Sequence, residues 1–159
     1  RYYYASRGLG DVYKRQGTNI AKGLIPGTFG TLNPEQIIAS RPDVVVVTGA
    51  NWKNYNTAGG WVGVGPGADV TLATQRLTAL MARPAFRTLP VATNGNAHAI
   101  WHQFYDSPYQ FVAIQMLAKW LHPELFKDID PDATFREFHQ RFLPIDYQPG
   151  YWVTLKPTP

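Results

Sequence analysis

The sequence predicts an α/β fold, an incomplete three-layer sandwich built on a short parallel sheet. Three observations lead there. The run Asp43-Val44-Val45-Val46-Val47-Thr48 is continuously β-branched, the pattern of a parallel strand buried on both faces. A second apolar strand, 97–101, follows after a helical stretch. The overall order then reads helix, strand, helix, strand, helix, helix, which calls for right-handed crossovers between parallel strands. Two or three strands are fewer than a stable sheet usually has, so part of the sheet is expected to lie upstream.

Residues 17–31 are glycine-rich and irregular, with Pro26-Gly27 marking a turn. Asn33-Pro34-Glu35 opens a short helix: Asn33 suits the N-cap, Pro34 the first helical position, and Glu35 the positive first turn. Ser40-Arg41-Pro42 closes it, because a proline disfavours helix in the residue before it. The valine strand ends at Gly49. Residues 49–68, GANWKNYNTAGGWVGVGPGA, form a long loop at that strand's carboxyl end, where α/β folds carry function. Asp69 can cap a helix over 70–82, with Val70, Leu72, Ala73, Leu77, Leu80 and Met81 giving it a broad apolar face. Pro84 breaks this helix, and one further turn can follow. Leu89-Pro90-Val91 leads through the turn Asn94-Gly95-Asn96 into strand 97–101. Pro108 is expected to open a helix that runs to about Leu121, closed by Pro123. Asp130 or Asp132 caps a last helix to about Phe142, with Phe135, Phe138 and Phe142 on one side.

At 159 residues and 17.8 kDa the chain has the size of one domain, and its 45% hydrophobic content excludes disorder. No apolar run approaches the ~20 residues that span a bilayer, and the N-terminus lacks the apolar core of a signal peptide. With no cysteine, disulfides, thiolate metal sites and cysteine nucleophiles are excluded. The formal charge of +4 does not point to nucleic acid. Arg1, Arg7, Lys14 and Arg15 face only Asp11 within residues 1–16, leaving a net +1 on the rest and no basic face. That first segment, RYYYASRGLGDVYKRQ, has no period and no cap, and its GDVYKRQ resembles translated adapter or vector sequence. The expected organisation is a non-native segment at 1–16, an α/β unit at 17–142, and a proline- and aromatic-rich tail at 143–159 packed along the surface.

The segment HAIWHQFYDSPYQFVAIQMLAKWLHPE concentrates the chemistry. A strand runs into Trp101, His102, Phe104, Tyr105, Asp106 and Tyr109 just before a helix, which is where open α/β sheets place their ligands. The 49–68 loop adds Trp52, Tyr55 and Trp61. Rigid aromatic rings give large contact area at low entropy cost. A ligand surface of Trp52, Tyr55, Trp61, Trp101, His102 and Tyr105 would suit a planar molecule or a bulky metal chelate. Tyr105 is also a type of oxygen donor that ferric iron accepts, although nothing here specifies coordination. His98, His102, His122 and His139 show no metal-site spacing with carboxylates, so no metal or other cofactor is expected. The glycines of GGWVGVGPG match no phosphate loop and serve either to bend the loop or to hold Trp61 toward a cleft. Ser107 lacks a nucleophile elbow. A non-enzymatic binding module is therefore expected. Its rivals are a doubly wound enzyme using His102 and Asp106 as acid and base, and an interaction domain that presents its aromatic loops to a protein.

Two segments carry a resemblance. LNPEQIIASRPDVVVVTG resembles the helix, Pro-Asp, hydrophobic-strand unit of the solute-binding proteins that serve ABC importers of ferric siderophores, haem and cobalamin. RPAFRTLPVATNGNAHAIWHQFYDSPYQFVAIQMLAKWLHPELF resembles the closing part of the same proteins, and together the likeness covers roughly residues 17–142. It implies the C-terminal lobe of a two-lobed binding protein with a helical linker, periplasmic or lipid-anchored at the cell surface and monomeric at full length. The N-terminal lobe, the linker, the first strand of the sheet and a signal segment would lie upstream. The implied partners are a ferric-siderophore-like or haem-like ligand and a membrane permease. The resemblance matches Glu35 to a permease-docking glutamate, and Trp52, Tyr55, Trp61, His102 and Tyr105 to ligand-contact positions. The long 49–68 loop and the 143–153 tail depart from the family pattern.

Overall fold

A computed structural model describes residues 3–5, 17–21, 23–24, 29–52 and 59–157 of the chain. Strand β1 (Tyr3–Ala5) pairs antiparallel with β2 (Phe29–Thr31), Tyr3 opposite Thr31. Helix α1 (Pro34–Ser40) begins as its sequence requires. The Asn33 side chain accepts the Gln36 N–H at 2.7 Å, and the Gln36 side chain accepts the Asn33 N–H at 3.1 Å, a reciprocal capping box. It ends at Arg41, whose φ of 43° is left-handed, just before Pro42.

Strand β3 (Val45–Gly49) and strand β4 (Ala97–Trp101) run parallel in register, Val45 opposite Ala97 and Gly49 opposite Trp101. Between them, Asp69 caps α2 (Val70–Met81) by accepting the Leu72 N–H at 3.0 Å. A 3-10 turn at Pro90–Ala92 leads back to β4, and a second 3-10 turn at His102–Asp106 leaves it. Helix α3 (Gln110–Leu121) starts two residues after Pro108, because that turn and the Ser107–Tyr109 bend occupy the positions a proline-led helix would need. Helix α4 (Pro131–Phe142) is capped by Asp130, which accepts from both Asp132 and Ala133 N–H at 3.0 Å.

The tail departs from its expected place on the surface. Residues Trp152–Thr154 form strand β5, antiparallel to β4, and Tyr151, Val153 and Leu155 are buried. Val153 and Leu155 turn into one core, while on the other face of the strand Trp152 packs against the second core and Thr154 reaches His98.

Three layers result. Ala97 and Ala99 of β4, with Val153 and Leu155 of β5, face α1 and α2 across a core containing Ile37, Leu77 and Met81. Ile100 and Tyr151 face α3 and α4 across a second core built on Phe104, Leu117 and Phe135. Central β4 is buried along most of its length. Strand β3 was expected to be buried on both faces, but Val45 to Thr48 are half-buried. The physical reason is its position: among the described residues the sheet order is β3-β4-β5, which leaves β3 at an edge.

Candidate functional site

The parallel register brings the carboxyl ends of β3 and β4 side by side, so the segments leaving both strands meet. His102 is the centre of that meeting. Its Nδ1 lies 3.2 Å from the hydroxyl of Thr48, the penultimate residue of β3. The ring of Trp52 meets it edge-on, with centroids 5.6 Å apart and planes at 70°. Tyr105, one turn further along the 3-10 segment, lies tilted at 5.0 Å. Three segments therefore fix one imidazole. Burial pulls its pKa below the ordinary histidine value, and the neighbouring Asp106 carboxylate partly offsets this. Asp106 itself is exposed, and no hydrogen bond joins it to His102.

The other expected site residues divide. Trp101 is drawn into packing: it sits edge-on to Phe104 at 5.3 Å and to Tyr151 at 5.4 Å. A Cβ at Gly65 would fall 2.8 Å from its indole Nε1, so the glycine loop lies directly against the ring. Trp101 is the last residue of β4 and stays half-buried, packed between the glycine loop and these two rings. Trp61 is half-buried beside Gly63 of its own loop, and meets no other aromatic ring among the described residues. Tyr55 lies outside the described residues. Glu35 stands exposed in the first turn of α1. Thr48 was missed by sequence reasoning. The available signal was its place as the last side chain of a β-branched strand before a terminal glycine.

The glycines of the 49–68 loop are explained by close packing. A Cβ on Gly49 would lie 1.9 Å from the Val62 carbonyl oxygen, so the loop can return across the strand end only over a glycine. Gly65 N–H donates to Gly150 C=O at 2.8 Å and Gly67 N–H to Pro149 C=O at 2.9 Å, tying the loop to the tail. This favours the loop-bending role over one of aiming Trp61.

Among the described residues no group of three His, Cys, Asp or Glu could hold a metal ion, and no helix is long and apolar enough to cross a membrane. A shallow groove of about 460 Å³ runs between α2 and β5, lined by Val70, Thr74, Thr78 and Trp152 among others. It shares no residue with the His102 cluster. The cluster is the better candidate, because it gathers rings and hydrogen-bonding groups at the strand ends, whereas the groove lies away from them.

No family model matches the chain, and no curated protein sequence matches it. Among solved structures, it is similar to the crystal structure of the TroA-like periplasmic binding protein FepB from Veillonella parvula, with a TM-score of 0.85 and 25% sequence identity. The match covers 95% of this chain and 43% of that one, so the chain spans less than half the length of the protein it resembles. In architecture this chain matches one lobe of a TroA-like periplasmic binding protein.

Proposed function

We propose that the chain is a lobe of the solute-binding component of an ABC importer, capturing a ferric siderophore or related iron chelate and presenting it to a membrane permease. The observation that carries this reading is the Trp52–His102–Tyr105 cluster, seated where two parallel strands end in a lobe of TroA-like architecture. Aromatic faces supply contact area to a bulky ligand, and the imidazole and phenol supply directed hydrogen bonds. In this reading the protein works in the periplasm or anchored at the cell surface, and Glu35 of α1 is the lobe's docking point for a permease arginine. Supporting Glu35 is its exposure on a helix N-terminal turn, where a carboxylate is free to meet a partner.

The test is tryptophan fluorescence of the full-length protein titrated with ferric trihydroxamate, ferric triscatecholate, haem and cobalamin. Saturable quenching by one ferric chelate, with the chelate recovered unchanged, is the expected result. Absence of saturable binding to every probe, or chemical conversion of one that is lost in His102→Ala, would overturn the reading.

A further inference from the structure

We infer that Thr48 is a positioning residue for the ligand contact made by His102: its hydroxyl donates to Nδ1 and so presents Nε2–H to an oxygen of the ligand. The inference rests on the binding reading above and deepens it by assigning the donor and the kind of ligand atom it meets.

The geometry is specific. Thr48 Oγ1 and His102 Nδ1 are 3.2 Å apart across 54 residues of sequence, a contact that exists only because β3 and β4 end in register. Trp52 and Tyr105 confine the ring on other sides, at 5.6 and 5.0 Å. A confined imidazole still has two orientations about its final torsion, related by a half-turn, and two neutral tautomers. Thr48 resolves the first. With the hydroxyl on Nδ1, the half-turned ring would set a carbon against Oγ1 and lose the bond.

The tautomer follows from what each form could do. If Nδ1 carried the proton, Nε2 would present a bare lone pair, which suits a metal ion. Among the described residues, however, no group of three His, Cys, Asp or Glu could hold a metal ion. A lone imidazole is a weak metal site, whereas Nε2–H is a good donor to the carbonyl, hydroxamate or phenolate oxygens on a chelate's surface. Burial disfavours the charged ring, and the neutral ring offers one proton at Nε2 without adding a desolvated charge. Asp106 forms no hydrogen bond with the ring, so among the described residues Thr48 is the side chain hydrogen-bonded to it.

The experiment compares wild type, Thr48→Val and Thr48→Ser in the full-length protein labelled with ¹⁵N-histidine, at a pH where His102 is neutral. In wild type and Thr48→Ser, Nδ1 of His102 should resonate as an unprotonated, hydrogen-bonded acceptor. In Thr48→Val it should move to the position of a free acceptor. A protonated Nδ1 in wild type, or an Nδ1 signal unmoved by Thr48→Val, overturns the inference. With ferrioxamine B as the probe, Thr48→Val should bind roughly 3- to 10-fold more weakly, the range for one neutral hydrogen bond, and Thr48→Ser within about twofold of wild type. Equal weakening in Thr48→Ser would point to packing and count against it. Failure of wild type to bind any probe defeats the functional reading, while the imidazole spectrum still decides the role of Thr48.

Discussion

His98 lies flat against Trp120, ring centroids 4.3 Å apart and planes within 10°. This pair joins the central strand β4 to α3, and the imidazole is only 3% exposed. Its Nδ1 is bonded to Thr154 at 2.9 Å, while its Nε2 is buried without a partner. Such a site tolerates a neutral ring and opposes a charged one.

A pH dependence of stability follows. Burial lowers the His98 pKa from the ordinary 6.5 to about 4. The folded pKa is below the unfolded one, so the unfolded chain binds more protons between these values. Stability is complete above about pH 6.5 and falls as pH drops toward 4, by roughly 2 to 3 kcal/mol from this group. Urea unfolding midpoints between pH 4 and 7.5 measure it. In His98→Phe this part of the slope should disappear, and an unchanged slope would assign it to other groups.

The strand end at Gly49 is the most sterically demanding position. A methyl there would lie 1.9 Å from the Val62 carbonyl oxygen, which is backbone and cannot rotate aside. Gly49→Ala should cost on the order of 2 to 4 kcal/mol by forcing the loop off the strand. Thermal unfolding checks this, and a shift within a degree of wild type would show that the loop can move.

Strand β5 should behave as core. Val153 is buried at 5% exposure between the sheet and α2. Val153→Ala should destabilise by about 1 to 2.5 kcal/mol through lost burial and a residual cavity. Exposed Leu125, at 78% accessible, provides the control, and Leu125→Ala should change stability by less than about 0.5 kcal/mol.

The proposed ligand cluster separates from the proposed docking residue by assay. Trp52→Ala should weaken binding of a ferric chelate roughly 10- to 100-fold, the loss expected for one large aromatic contact, with little change in stability because the ring is only half-buried. Glu35→Ala should leave that affinity unchanged and reduce uptake in whole cells. Loss of affinity in Glu35→Ala would end the docking assignment.

How much of this could be read in the sequence depended on the range of the interactions involved. The start of α1 was legible because Asn33, Pro34 and Gln36 settle it among themselves. Strands β3 and β4 were legible from apolar runs bounded by glycine and turn residues. Strand β5 was not: Trp152-Val153-Thr154 is short, lies among prolines and aromatics, and is specified by β4 rather than by itself. Within the cluster, sequence placed Trp52, His102 and Tyr105 in the segments that meet at the strand ends. It did not show that Trp101 would pack against Tyr151, because that ring comes from a distant part of the sequence. Thr48 could not be found locally, because its importance comes from a partner 54 residues away.

The late arrival of β5 has a consequence for synthesis. The bond from Thr154 to His98 spans 56 residues, and both cores take residues from 151–155. On the ribosome, β4 would emerge with β3 already beside it and its other edge open, until the chain had lengthened past α4. During that interval the free edge of an apolar strand is a template for wrong pairing. Strand β5 thus acts as a latch, closing the lobe against its own kind only after helices α1 to α4 have been made.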